Sequence, residues 1–197
     1  MSQTPGSPLS HHFLTMAYNN AWANFRLAKA CLQLSQDEFV AGRTGFFPSI
    51  KATLNHILIV DRVYVDGMER EAAGDAPHPN YREILAEREP CATAEAWRVA
   101  QTNVDQRLID YCKALLDADM GRIIVYQRPD ATLREPRARL LAHVFQHQIH
   151  HRGQVHAMLS GTSVAPPQLD DFFRAADAGE RAQDFAELGW SESGIWA

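Results

Sequence analysis

From His12 to Leu34, apolar residues (Phe13, Met16, Ala17, Ala21, Phe25, Ala28, Leu32) recur three or four positions apart with no Gly or Pro between them. That spacing predicts an amphipathic helix. A break follows at Gly42–Pro48, after which Ser49 can cap a second helix running to about Met68. This helix is apolar almost all round, so its inward face is not defined by the pattern. Gly74 to Pro90 carries three prolines and reads as a loop with a short helical turn near 81–86. Thr93, with Glu95 in the first turn, opens a third helix to about Leu116. Between Asp119 and Leu133 the pattern changes. Ile123, Ile124, Val125 and Tyr126 favour a strand, but the run is short and isolated, so it is expected to be an extended connector, alone or paired with another extended piece. Pro136 suits the first position of a fourth helix ending at Gly161. A last short helix is expected over Leu169–Ala178, with a tail over 179–197 whose structure the pattern does not define.

Four helices of roughly 20 to 25 residues with apolar stripes make an all-α helical bundle the economical architecture. The expected organisation is a flexible lead-in over 1–11, one domain over 12–178 and the tail. A chain of 197 residues with 46% hydrophobic residues can bury a core without disulfide or metal support. The three cysteines (Cys31, Cys91, Cys112) lack metal or redox spacing and read as core thiols. Nineteen basic against 24 acidic residues leave no basic surplus to hold a phosphate backbone, which disfavours a nucleic-acid partner. The first ten residues lack a basic stretch followed by an apolar one, and no apolar run is long enough to span a membrane. The expected setting is therefore cytoplasmic.

Histidine is the unusual component. Five of the nine histidines (His143, His147, His150, His151, His156) crowd into one stretch of the fourth helix. With His147 placed at zero on a helical wheel, Leu140 and Met158 fall at about 20°, His151 at about 40°, Val144 at about 60° and Val155 at about 80°. His147 and His151 are thus expected inside the core-facing stripe, with His143 and His150 on its shoulder and His156 pointing away. Imidazoles at i and i+4 lie about 6 Å apart along the axis and can share one ion, whereas His143 and His151, two turns apart at about 12 Å, cannot. The second helix offers one histidine, His56, as a further ligand. Three imidazoles would leave a coordination position for water or substrate. The residues alone fit metal binding or a buried hydrogen-bond network equally well. Asp61, within an apolar stretch, either orients a histidine or pairs with an arginine. Gln154 shares the ligand face, while Tyr18 and Trp22 read as packing. Signatures for zincins, di-iron carboxylate bundles, serine hydrolases and phosphate-cradling glycine loops are missing.

The segment from His143 through His147, His150, His151, Arg152 and Gly153 to Gln154 resembles the H-x-x-N-H-x-x-H-H-R-G-Q signature of the DinB/YfiT-like metalloenzymes, with Gln146 where the family often has Asn. Supporting pieces are Tyr18–Asn24, Leu54–Asp61 and Pro166–Asp170. The resemblance implies an up-down-down-up four-helix bundle whose divalent metal, zinc or nickel, is held by His56, His147 and His151. It also implies a small-molecule substrate, often a low-molecular-weight thiol such as mycothiol, bacillithiol or glutathione, in a transferase or isomerase reaction, and a homodimer. Activation of water by a hydrolase is the neighbouring possibility, and a non-catalytic metal- or ligand-binding bundle with a sensing role is the alternative. His143, His150 and Asp61 are unranked candidates for a general base.

Overall fold

The computed structural model describes residues 8–196 of the chain. Four long helices form the body: α1 (Pro8–Cys31), α3 (Ile50–Ala73), α5 (Ala94–Lys113) and α6 (Arg137–Leu159). Short helices α2 (Gln36–Val40) and α4 (Tyr81–Ala86) punctuate the connections, and α7 (Ala178–Leu188) and α8 (Glu192–Trp196) follow the bundle. The helix boundaries have local causes. The Ser49 side chain accepts from the Ala52 amide at the head of α3, and Gly74, in the left-handed region at φ 76°, closes its end. Thr93 caps α5 in the same way through Ala96. In α2, which the hydrophobic pattern does not reveal, Ser35 and Glu38 form a reciprocal capping box.

The bundle closes in the cyclic order α1, α5, α3, α6. The core residues Leu27 of α1, Ile57 and Leu58 of α3, Trp97 and Leu108 of α5, and Leu141 and Val144 of α6 meet along its axis. The Trp97 indole N–H donates to the Leu54 carbonyl at 2.9 Å, fixing α5 against the early turns of α3.

The stretch expected as an extended connector, alone or paired, is the first strand of a β-hairpin, the paired alternative, so the all-α expectation holds for the body but not for this element. Strand β1 (Ile123–Arg128) pairs antiparallel with β2 (Ala131–Pro136), Ile124 opposite Glu135 and Tyr126 opposite Leu133. The second strand escapes a hydrophobicity reading because Thr132, Arg134 and Glu135 make it polar. Pro136 ends β2 and precedes α6, which begins at Arg137. The Arg137 and Ala138 amides donate to the Arg122 and Met120 carbonyls, satisfying two of the helix's first free N–H groups.

At the N-terminus, α1 starts at Pro8, so residues 8–11 belong to the bundle and not to a lead-in, while 1–7 lie outside the described residues. The helix expected over 169–178 is also corrected. That segment is irregular up to a 3-10 turn at Ala175–Asp177, and the regular helix comes later, as α7. Segment 179–197, left undefined by the pattern, includes α7 and α8. They pack Phe185 and Ile195, with Phe172 of the preceding irregular segment, onto Trp22 of α1, and Asp184 accepts from the Trp22 indole (3.1 Å) and from Arg26 (2.5 Å).

The hairpin lies on α3 at Gly67, where a Cβ would overlap the Tyr126 ring. That ring is confined by Tyr64 and Tyr81 (centroids at 5.7 and 5.0 Å), and its hydroxyl donates to the Tyr64 carbonyl. Ala for Gly in a helix interior ordinarily stabilises by about 1 kcal/mol. At Gly67 overpacking is expected to reverse the sign, with Gly67→Ala losing about 1–3 kcal/mol in urea unfolding. Gly153→Ala in α6, where a Cβ meets nothing within 4 Å, is expected to gain about 0.5–1 kcal/mol in the same measurement.

Candidate metal centre

The second turn of α3 and the middle of α6 bring His56, His147 and His151 together. One nitrogen from each ring lies within 4.8 Å of the others, so the trio could hold a metal ion. The His56 and His147 Nε2 atoms face each other at 3.0 Å, and the ring centroids are 4.4–5.0 Å apart. His151 Nδ1 lies 2.8 Å from the Gln154 side-chain oxygen. The amide oxygen can only accept, so Nδ1 carries the proton and the Nε2 lone pair is free to ligate, the arrangement that orients metal-binding histidines. The Gln154 amide group then donates to His150 Nε2 at 3.1 Å. His147 Nδ1 is buried without a hydrogen-bond partner.

The electrostatics suit ligands. Burial pushes His56 down to about 4, helped by the charge His151 would carry, and it pushes His147 down to about 3, with the other four neighbouring imidazoles adding to the effect. His151 is also lowered by burial, against the opposing pull of Gln154. Three imidazoles favoured in their neutral form, one nitrogen of each within 4.8 Å of the others, are the donor chemistry a divalent ion requires.

The remaining candidates disperse. His143 and His150 are exposed beside the cluster. His143 stacks edge-on to Tyr64, centroids 5.5 Å apart. His156 points away and donates to the Pro167 carbonyl at 3.1 Å. Among the described residues, Asp61 makes no hydrogen bond to a histidine and closes no ion pair within 4 Å. It accepts hydrogen bonds from Gln101 (2.9 Å) and Gln148. Cys31 and Cys112 are buried and their thiols are pushed up to about 12, as core cysteines are.

The direction of α6 needs correcting. His147 is half-buried and His151 is 7% exposed, whereas Gln148 and Arg152 are more deeply buried, at 0% and 4%. The core therefore lies about 100° round from His147, and the ligand pair sits on the shoulder of the buried stripe. The wheel misplaced it because it weights Gln148 and Arg152 as polar, and both are interior here.

Sequence reasoning also missed Phe47. Its ring lies 4.3 Å from His56 and 5.5 Å from His151, covering the cluster from the loop before α3. The adjacent aromatics Phe46 and Phe47, bounded by Gly45 and Pro48, were the signal in the sequence. A cavity of about 560 Å³ opens beside His56, roofed by the hairpin.

The sequence profile of the DinB family matches residues 1–183. The crystal structure of a DinB-like protein from Bacillus cereus ATCC 10987 superposes with a TM-score of 0.54 at 16% identity, covering 75% of this chain and 90% of that one, which is a likeness of fold. No curated protein matches.

The lowered histidines set a pH dependence. In the unfolded chain imidazoles take up protons below about 6.5, whereas folded His56 and His147 do so only near 4 and 3. The unfolded state therefore binds more protons in this window, and stability falls with pH. The melting temperature of metal-free protein is expected to drop between pH 7 and pH 4, and to drop less in a His147→Gln variant, as read by thermal unfolding monitored by circular dichroism.

Proposed function

The chain belongs to the DinB family, and from that premise we propose that it is a metal-dependent enzyme whose divalent ion, zinc or nickel, is held by His56, His147 and His151. The observation that carries this is the convergence of three ligand nitrogens within 4.8 Å. A divalent ion there supplies a Lewis acid that lowers the pKa of a thiol or a water molecule towards neutrality. Thiol transfer or isomerisation is favoured over hydrolysis on family resemblance. The expected homodimer rests on resemblance too, and the cytoplasmic setting on the sequence pattern alone. Among the described residues no helix is long and apolar enough to cross a membrane.

The chain's own groups take the remaining roles. Gln154 fixes the His151 tautomer, and Phe47 shields the imidazoles from water. His143, on the wall of the neighbouring cavity, is the histidine placed to move a proton. His150 accepts from Gln154 and steadies it, and Asp61 acts through Gln148. A non-catalytic binding role would call for a closed four-ligand site; this cluster has three members and adjoins a cavity, which favours catalysis. The up-down-down-up order is supported by the contacts. Early α3 meets early α5 through Leu54 and Trp97, late α3 meets early α6 through Glu71 and Arg137, and early α1 meets early α6 through Phe13 and Phe145.

Elemental analysis of protein purified without chelators tests the proposal. Wild type is expected to carry close to one divalent ion per chain, His147→Ala none, and Gln154→Ala to bind about tenfold or more weakly. A wild type without stoichiometric metal would refute it.

A further inference from the structure

The cavity beside His56 has chemistry of its own. Side chains alternate across a strand, so the inner face of the hairpin consists of Ile124, Tyr126 and Arg128 from β1 with Ala131, Leu133 and Glu135 from β2. Ile124 and Tyr126 are buried, as a roof over α3 requires, but the third inward position carries a guanidinium. Arg128 makes no ion pair with any described residue, and its Nε is buried without a hydrogen-bond partner. Glu135 lines the same cavity yet forms no ion pair within 4 Å with Arg128 or with Arg139, which is exposed and makes no ion pair with any described residue. The Tyr126 and Tyr81 hydroxyls are spent on the Tyr64 carbonyl and on Asp66. The Tyr64 hydroxyl has no hydrogen-bond partner among the described residues, and Arg128 lies close enough to counter the effect of burial on it. Val60, Val63 and Leu140 supply an apolar floor, and the volume of about 560 Å³ is that of a small-molecule site.

A half-buried guanidinium with no ion-pair partner among the described residues, its Nε buried, and a free phenol beside an apolar floor form an incomplete recognition site. A guanidinium matches the two oxygens of a carboxylate or phosphate, and leaving its buried Nε–H without an acceptor is costly. We propose that this cavity binds a small oxyanion carried on an apolar body, its charged end received by Arg128 and the Tyr64 hydroxyl with Arg139 at the entrance, and its other end against His56. Calling that molecule the substrate rests on the metalloenzyme reading; recognition of the anion rests on the cavity alone.

Isothermal titration calorimetry of the full chain with benzoate, phenyl phosphate and benzamide, each with and without added zinc, tests this. At least one of the two anions is expected to bind tenfold or more tightly than neutral benzamide, and which one binds separates carboxylate from phosphate. Arg128→Gln is expected to weaken that anion by about tenfold or more, and the surface variant Arg98→Gln to leave it unchanged. Tyr64→Phe is expected to weaken the same anion and decides the matter if Arg128→Gln does not fold. Benzamide binding as well as the anions, neither anion binding, or an affinity indifferent to Arg128 and Tyr64 but lost in His147→Ala would overturn the inference. Arg128-dependent binding in a protein that takes up no zinc removes the metal reading and leaves this one standing; zinc uptake without such binding does the reverse.

Discussion

Burial of Arg152 is the constraint on which the rest of the bundle turns. A guanidinium 4% exposed must be surrounded by acceptors, because removing a partner from a buried charge typically costs about 3–5 kcal/mol. Three amides meet that need. Asn20 and Asn24 of α1 and Gln148 of α6 each turn a carbonyl oxygen towards Arg152. Their amide nitrogens then donate to carboxylates, Asn20 and Asn24 to Asp105 of α5 and Gln148 to Asp61 of α3. Gln101 of α5 bridges the two acids, donating to both. Every long helix contributes, and each amide dipole lies between the positive charge and a negative one. Burial nevertheless dominates the titration. It lifts Asp105 to about 6 and Asp61 well above the usual carboxylate range, and lowers Arg152 to about 10.

This network also aims the histidine cluster that could hold a metal ion. Gln148 and Arg152 follow His147 and His151 in sequence, so each interior polar residue is about 100° round the helix from a candidate ligand. Once four helices hold 148 and 152 inward, α6 cannot rotate, and 147 and 151 must emerge on the shoulder facing α3. There they meet His56, one helical turn beyond Thr53 and flanked by Phe47. The imidazoles are thus placed by contacts they do not themselves make, which is how a rigid site is built without spending its ligands' nitrogens on the fold.

Much of this is legible in the sequence, and the failures have physical reasons. Helices α3, α5 and α6 follow from Ser49, Thr93 and the apolar spacing, because caps and periodicity are local. The trio His56, His147 and His151 emerges from i,i+4 reach and from the resemblance, and the fold brings those three side chains together. The inward direction of α6 does not emerge, since a buried arginine looks exposed until its partners Asn20 and Asn24, on another helix, and the carboxylates behind them are known. Strand β2 is hidden because Thr132, Arg134 and Glu135 derive their pairing from β1 and not from their own apolarity. Phe47 and Arg128 matter through positions set by a loop and a hairpin, elements whose placement depends on tertiary contacts.

The central claim is that three imidazoles, two from α6 and one from α3, form a divalent-metal site whose further coordination is left to small molecules. X-ray absorption spectroscopy of the zinc-loaded protein, beside the His56→Ala variant, addresses it most directly. The account predicts a first shell of nitrogen and oxygen scatterers near about 2.0–2.1 Å, with the outer-shell signature of three imidazoles in the wild type and two in the variant. A sulfur shell near about 2.3 Å, or an imidazole count unchanged by His56→Ala, would contradict it.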